Sequence, residues 1–224
     1  MIKPRLLDLC CKAGGAAMGY HRAGFEVVGL DIKPQPHYPF EFIQADALTY
    51  PLEGFDAYHA SPPCQPWGSI RKLTIAQGVA KEYPELIVPI RERLVATGKP
   101  YVIENTPGAP LLDAVMLCGS SFGLPIKRHR LFETNFAILR PPCAHYIYTA
   151  DKPALHRHLQ GKSRVVGCYG HGRGAGDSVP LWSAAMGIDW MTRKELSQAV
   201  PPAYTEYVGG YLMKAVTSND KVKR

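Results

Sequence analysis

The sequence predicts an α/β fold built on a largely parallel sheet, and three observations carry that expectation. Short apolar runs recur from the N-terminus, and the first three of them close on an aspartate: Asp8, Asp31 and Asp46. Helix-compatible stretches lie between such runs, the order that produces βαβ units. A glycine-containing turn, Lys12-Ala13-Gly14-Gly15, follows the first run directly. In parallel α/β sheets the carboxyl ends of the strands, with turns of this kind, form the ligand-binding edge.

Taken in order, Arg5–Leu9 reads as a short buried strand and Ala16–Ala23 as a helix that Gly24 ends. Glu26–Asp31 and Glu41–Asp46 read as the second and third strands, and Phe55–His59 as a fourth. Residues 75–98 carry apolar side chains near helical spacing (Ile75, Val79, Leu86, Ile87, Ile90, Leu94). Pro84 and Pro89 interrupt that pattern, so two shorter helices are expected. Pro100–Ile103 is a further buried strand running into Glu104-Asn105. From about residue 133 to 180 proline, glycine and histidine dominate, with one strand expected at Ser163–Tyr169. Helix returns over 191–216, where Pro201-Pro202 opens the last helix near its first turn. The expected division is 1–132 for a catalytic and cofactor-binding unit, 133–180 for a small recognition region, and 181–224 for helices that return to the first unit.

The 224 residues suffice for a full core in one large domain, and 46% hydrophobic with 20% charged residues is a globular composition. No apolar run approaches the roughly 20 residues that cross a bilayer, so no membrane partner is expected. Met1-Ile2-Lys3-Pro4-Arg5 leads straight into the first strand without a signal-peptide pattern, and a cytoplasmic location in a bacterial or phage-infected cell is the expectation. Six scattered cysteines (Cys10, Cys11, Cys64, Cys118, Cys143, Cys168) do not form a disulfide framework. The net charge of +7, with clusters at Lys127–Arg130 and from His156 to Arg164, favours a polyanionic partner.

Two constellations carry chemistry. Gly14-Gly15 permits close backbone approach at a helix start, and an acid at the end of the second strand suits ribose hydroxyls. The full dinucleotide fingerprint is absent, so an adenosyl group without pyrophosphate is the better fit. The second is Ser61-Pro62-Pro63-Cys64-Gln65: two prolines hold a cysteine on a stiff backbone at a strand end, which suits a thiol that attacks a substrate.

The order of these motifs resembles that of the cytosine-C5 DNA methyltransferases. Asp8-Leu9 through Gly14-Gly15, with Gly19 and Ala23-Gly24-Phe25, is similar to the family's first motif. Gly29-Leu30-Asp31 and Ala45-Asp46 are similar to the second and third, and Ser61–Gln65 to the catalytic motif. Glu104-Asn105 and Arg128-His129-Arg130 follow in the family's order, and Ala199–Pro202 through Gly209 matches more loosely. The resemblance implies a Rossmann-like S-adenosylmethionine-dependent sheet acting on DNA through base flipping, with S-adenosylhomocysteine as product. It implies Cys64 as the nucleophile toward C6 of cytosine, Glu104 as the proton-holding carboxyl at N3, and Arg128 and Arg130 as orienting cations. It assigns Asp8, Cys10, Gly14, Gly15, Asp31, Ile32, Asp46, Ala47, Pro62 and Gln198 to the cofactor. It assigns Pro63, Gln65, Trp67, Ser69, Arg71 and Asn105 to the substrate.

The chain departs from that family in three ways. Cys10 stands where the family has an aromatic residue and Lys12 where it has its first glycine, which reduces aromatic contact with the cofactor. Gln198 takes a position where the family often has an asparagine. Only residues 133–180 stand where sequence-specific members carry a large recognition domain, so a short target or low selectivity is expected. Gly170–Gly176 is a candidate phosphate or groove contact. Cys143-x-His145, His156-x-His158 and Cys168-x-x-His171 do not form a recognised zinc pairing, and no metal is expected. Methylation of RNA or single-stranded DNA by the same cysteine, and a non-catalytic nucleic-acid binder, are the alternatives; the second has no use for Cys64, Glu104 and both arginines together. A monomer is expected.

Overall fold

A computed structural model describes residues 2–67, 83–145, 166–168 and 178–222, with side chains described as far as residue 218. Among these residues seven strands form one sheet: β1 (Arg5–Leu9), β2 (Glu26–Asp31), β3 (Glu41–Gln44), β4 (Ala57–Ala60), β5 (Tyr101–Asn105), β6 (Val115–Cys118) and β7 (His129–Thr134). Their spatial order is β3-β2-β1-β4-β5-β7-β6. The first five run parallel, while β7 is antiparallel to both β5 and β6. The α/β fold expected from the sequence is therefore present, with an antiparallel hairpin added at one edge.

Side chains alternate between the two faces, as the period of a strand requires. On β1, Leu6 joins a core with Tyr20, Phe25, Tyr204, Val208 and Leu212, whereas Leu7 and Leu9 join one with Leu52, Ile90, Leu94 and Ile103. The first face is covered by α1 (Gly15–Arg22), and the other by α2 (Ile87–Ala96). A third core gathers Trp182, Met186, Ile188, Met191 and Leu196 around α3 (Val179–Met186) and α4 (Arg193–Gln198). The last helix, α5 (Pro202–Val222), packs along α1, where Thr205 Oγ1 donates to the Ala16 carbonyl at 2.8 Å.

Several expectations shift. Pro89 does not interrupt α2 but lies in its first turn, where a missing N–H costs nothing because those groups have no intrahelical acceptor. Of the helical stretch expected over 75–98, the part before residue 83 lies outside the described residues. β3 stops at Gln44, before Ala45-Asp46, and Asp8 lies inside β1 rather than at its end. Of the strand expected at Ser163–Tyr169, the described residues Val166–Cys168 belong to no sheet; Val166 N–H donates to the Pro125 carbonyl at 2.7 Å. The sequence reading assigned neither β6 nor β7 as a strand, nor the helix at Val179. Pro202 does open the last helix, and α4 begins with a complete capping box between Thr192 and Glu195.

Candidate active site

Parallel strands end together, and four of these ends build the site. Cys11 N–H donates to the Leu30 carbonyl and Ser61 N–H to the Leu9 carbonyl, both at 3.1 Å, which ties the segments leaving β1 and β4 to the sheet. Past β4 the chain enters Ser61-Pro62-Pro63-Cys64. Asn105 Nδ2 at the end of β5 donates to the Pro62 carbonyl at 3.0 Å, and Trp67 N–H to the Cys64 carbonyl at 3.0 Å. The first bond clamps the proline segment and the second closes a turn behind the cysteine. Cys64 is left exposed.

Glu104 and Arg130 meet because β7 runs against β5. Glu104 pairs with Phe132, so Arg130, two residues earlier on β7, is its diagonal neighbour on the same face. Arg130 Nε stands 3.1 Å from Glu104 Oε1. Burial raises the Glu104 pKa, opposed by Arg130 and by a hydrogen bond with Ser61. A carboxyl in that balance keeps its proton more readily than a solvated one. Burial also raises the Cys64 thiol, with Arg130 opposing it and Glu104 adding to it.

Behind Glu104 lies a buried polar row that the sequence reading missed beyond Asp8. His59 is fully buried and pairs in register with Asp8. Its Nδ1 lies 2.9 Å from the Tyr20 hydroxyl and its Nε2 2.9 Å from Ser61 Oγ. Desolvation pushes the His59 pKa down to about 3 and raises that of Asp8 well above normal. The His59 imidazole is neutral at pH 7, so its 4.0 Å approach to Asp8 is not a salt bridge. Tyr20, His59, Ser61, Glu104 and Arg130 form a continuous line from α1 to β7. Among the described residues, the Asp8 carboxyl oxygens have no hydrogen-bond partner.

A single cleft is lined by Cys10, Lys12, Ala13, Gly15, Pro62, Pro63, Cys64, Gln65, Glu104, Arg130 and Gln198. Met191, Glu195, Ala199 and Val200 line it too, a contribution the sequence reading recognised only at Gln198. Trp190 Nε1 donates to the Ala13 carbonyl at 2.8 Å and holds the loop before α1 in place. His37 pairs with Glu195 at 2.9 Å from the opposite side.

The loop itself is tightly bent: Cys10 (φ 58°), Lys12 (φ 49°) and Gly14 (φ 81°) all lie in the left-handed region. The close approach expected of Gly14 and Gly15 is made by the protein's own chain. A Cβ on Gly14 would sit 2.7 Å from Pro39 Cδ, and one on Gly15 2.5 Å from the Val200 carbonyl. Asp31 is buried at the end of β2, accepting Lys12 N–H (3.2 Å) and Lys33 N–H (3.0 Å), with Lys12 Nζ at 3.8 Å. Ile32 beside it is 63% exposed. Asp46 lies past β3 and accepts Leu48 N–H at 2.8 Å, while Ala47 is buried.

Arg128 does not share the place of Arg130. It is buried and donates to the carbonyls of Cys168 (2.9 Å) and Ser197 (2.7 Å), while its own carbonyl accepts from the Tyr204 hydroxyl. It joins three distant segments and is not among the cleft-lining residues. Ser69, Arg71, the Gly170–Gly176 run and the basic stretch from His156 to Arg164 lie outside the described residues.

No protein-family model matches the chain, and no curated protein matches it in sequence. Solved structures match its fold. A chain from an Escherichia coli prophage, described as a DNA modification methyltransferase, superposes with a TM-score of 0.61 at 15% identity over 96% of this chain and 100% of that one. The S. pombe Dnmt2 methyltransferase gives 0.56 at 14% identity over 95% and 99%. The Entamoeba histolytica methyltransferase EhMeth gives 0.57 at 13% over 96% and 99%. The chain has the α/β fold of these methyltransferases over nearly its whole length.

Proposed function

We propose that this protein transfers a methyl group from S-adenosylmethionine to C5 of cytosine in DNA. The observation that carries the reading is one cleft holding Cys64, Glu104 and Arg130 together with the bent loop that enters α1.

The residues fit the cofactor. Asp31 keeps acceptor capacity for ribose hydroxyls beyond its two backbone partners, and exposed Ile32 offers an apolar platform to a purine. Asp46 and Ala47 stand at the next strand end. The first turn of α1 has no side-chain cap, which leaves N–H groups suited to a carboxylate. Asp8, Cys10, Pro62 and Gln198 border this ground. The cofactor, when bound, supplies an electrophilic methyl group.

The chain's own groups perform the rest. The Cys64 thiolate adds to C6 of cytosine, forming an S–C6 bond and moving the C5=C6 electron pair into the ring. Glu104 donates a proton at N3, which its buried setting keeps available. Arg130 supports both groups: it holds Glu104 in place and opposes the rise in the Cys64 pKa. Once C5 carries the methyl group, a solvent water at exposed Cys64 takes the C5 proton, the electron pair reforms C5=C6 as S–C6 breaks to restore the thiolate, and N3 returns its proton to Glu104. Pro63, Gln65 and Trp67 flank the base, and Asn105 positions the proline segment. Arg128 serves as a buried clamp in this scheme. A base inside a duplex cannot reach Cys64, so the target nucleotide is flipped out. Residues 133–180 read the target, residues 1–132 and 181–224 bind cofactor and perform the chemistry, and the enzyme acts as a monomer.

The test is incubation with labelled S-adenosylmethionine and duplex DNA, single-stranded DNA or tRNA, followed by nucleoside analysis. Label in 5-methylcytosine from duplex DNA is expected, with none from Cys64→Ser. Label confined to tRNA or single strands would reassign the substrate, and no 5-methylcytosine from any polymer would overturn the reading.

A further inference from the structure

Four side chains that line no part of the cleft converge at the outer end of β7. Cys118 closes β6 and His129 opens β7, and the antiparallel register sets them opposite each other. Cys143 and His145 return to the same place from the segment after β7. Cys118 Sγ lies 3.1 Å from His145 Nε2, and Cys143 Sγ lies 3.6 Å from His129 Nε2. One ligand atom from each residue lies within 4.8 Å of every other. Tetrahedral zinc, with Zn–S of about 2.3 Å and Zn–N of about 2.0–2.1 Å, places sulfur and nitrogen ligands about 3.6 Å apart. The Cys143–His129 pair is at that spacing, the Cys118–His145 pair lies about 0.5 Å inside it, and the remaining pairs lie within 4.8 Å.

The surroundings are those of a built site. Cys118 is fully buried and the other three are half-buried. Ser120 Oγ donates to Cys118 Sγ at 3.2 Å and accepts Ala144 N–H at 3.1 Å, so one hydroxyl orients a ligand sulfur and the backbone between two other ligands. Two thiols and two imidazoles without a carboxylate select zinc over magnesium or calcium. Four protein ligands leave no open position, the mark of a structural rather than a catalytic ion.

We propose that Cys118, His129, Cys143 and His145 bind one structural zinc ion. The ion staples the β6–β7 hairpin to the segment that leaves the sheet, and binding releases the two thiol protons. His129 lies between Arg128 and Arg130, so the ion also anchors the strand start that carries Arg130 to Glu104. The spacing Cys118-x10-His129-x13-Cys143-x-His145 conceals the set in sequence, because the two halves are joined only by the hairpin register. The sequence reading found no recognised zinc pairing among Cys143-x-His145, His156-x-His158 and Cys168-x-x-His171 and expected no metal; among the described residues, Cys143 and His145 meet Cys118 and His129.

The full-length protein, purified under reducing conditions from zinc-supplemented cells, tests this by elemental analysis. About one zinc per chain is expected in the wild type, Cys64→Ala and Cys168→Ala, with a severalfold loss in Cys143→Ala and His145→Ala. Exchange of the wild type into cobalt(II) should give the visible bands of a tetrahedral site and near-ultraviolet thiolate charge transfer. That measurement decides the matter even if a variant fails to fold. Failure of the wild type to take up stoichiometric zinc or cobalt, or full metal content in a folded Cys143→Ala, would overturn the proposal.

Discussion

Replacing Glu104 with glutamine separates the two roles the site gives that carboxyl. It is buried, with Arg130 Nε 3.1 Å away, and burial raises its pKa while its charge also raises that of Cys64. Glutamine keeps the shape and removes the transferable proton and the negative charge. Loss of general acid assistance is worth about 10²–10⁴ in rate, or about 3–5 kcal/mol of barrier. The thiol responds in the other direction: without the Glu104 charge, Cys64 ionises at lower pH and reacts faster with iodoacetamide. Turnover and Cys64 alkylation against pH, each measured on wild type and Glu104→Gln, should therefore diverge. Methylation within a few-fold of wild type would refute the assignment. Parallel loss of methylation and alkylation would refute it too, because it would mean that the substitution disturbs the loop around Cys64.

Glu133 accepts two hydrogen bonds from Arg91 at 2.7 Å and one from Leu112 N–H at 2.8 Å, all well shielded. Glu133→Ala should cost about 3–5 kcal/mol in chemical denaturation, since it strips the carboxylate from a largely buried guanidinium and leaves it the Pro110 carbonyl. His59 has a folded pKa of about 3 against an ordinary 6.5, so the unfolded chain binds its proton first. Stability should fall as pH drops through that window, while Asp8 and Glu104, with raised values, oppose the loss. His59→Gln should flatten the acid side of the Tm–pH curve relative to wild type; an unchanged slope would contradict the buried neutral imidazole. Trp190→Phe removes the bond to the Ala13 carbonyl and should weaken S-adenosylmethionine binding severalfold in calorimetry, with little change in Tm.

What could be seen in the linear chain followed from local periodicity. β1, β2 and β5 lie where apolar runs placed them, since burial on both faces of a parallel sheet leaves a continuous apolar signature. Cys64 was visible for a related reason, because its two prolines act on their own backbone. Val115–Cys118 is four residues long, and the strand His129–Thr134 opens on polar side chains, so neither has a pattern strong enough to stand alone. The row from Tyr20 through His59 and Ser61 to Glu104 was hidden because strand neighbours come from distant segments.

The amino-acid order by itself determined the sheet's parallel half, the stiff cysteine turn and the aspartate that ends β2, all consequences of short-range backbone and hydrophobic patterning. Tertiary structure alone decided which partners those residues meet. The reversal of β7 brought Arg130 to Glu104 but turned Arg128 inward to backbone carbonyls, and the same register set Cys118 opposite His129. Strand register is a long-range property, and it decides which side chains share a site.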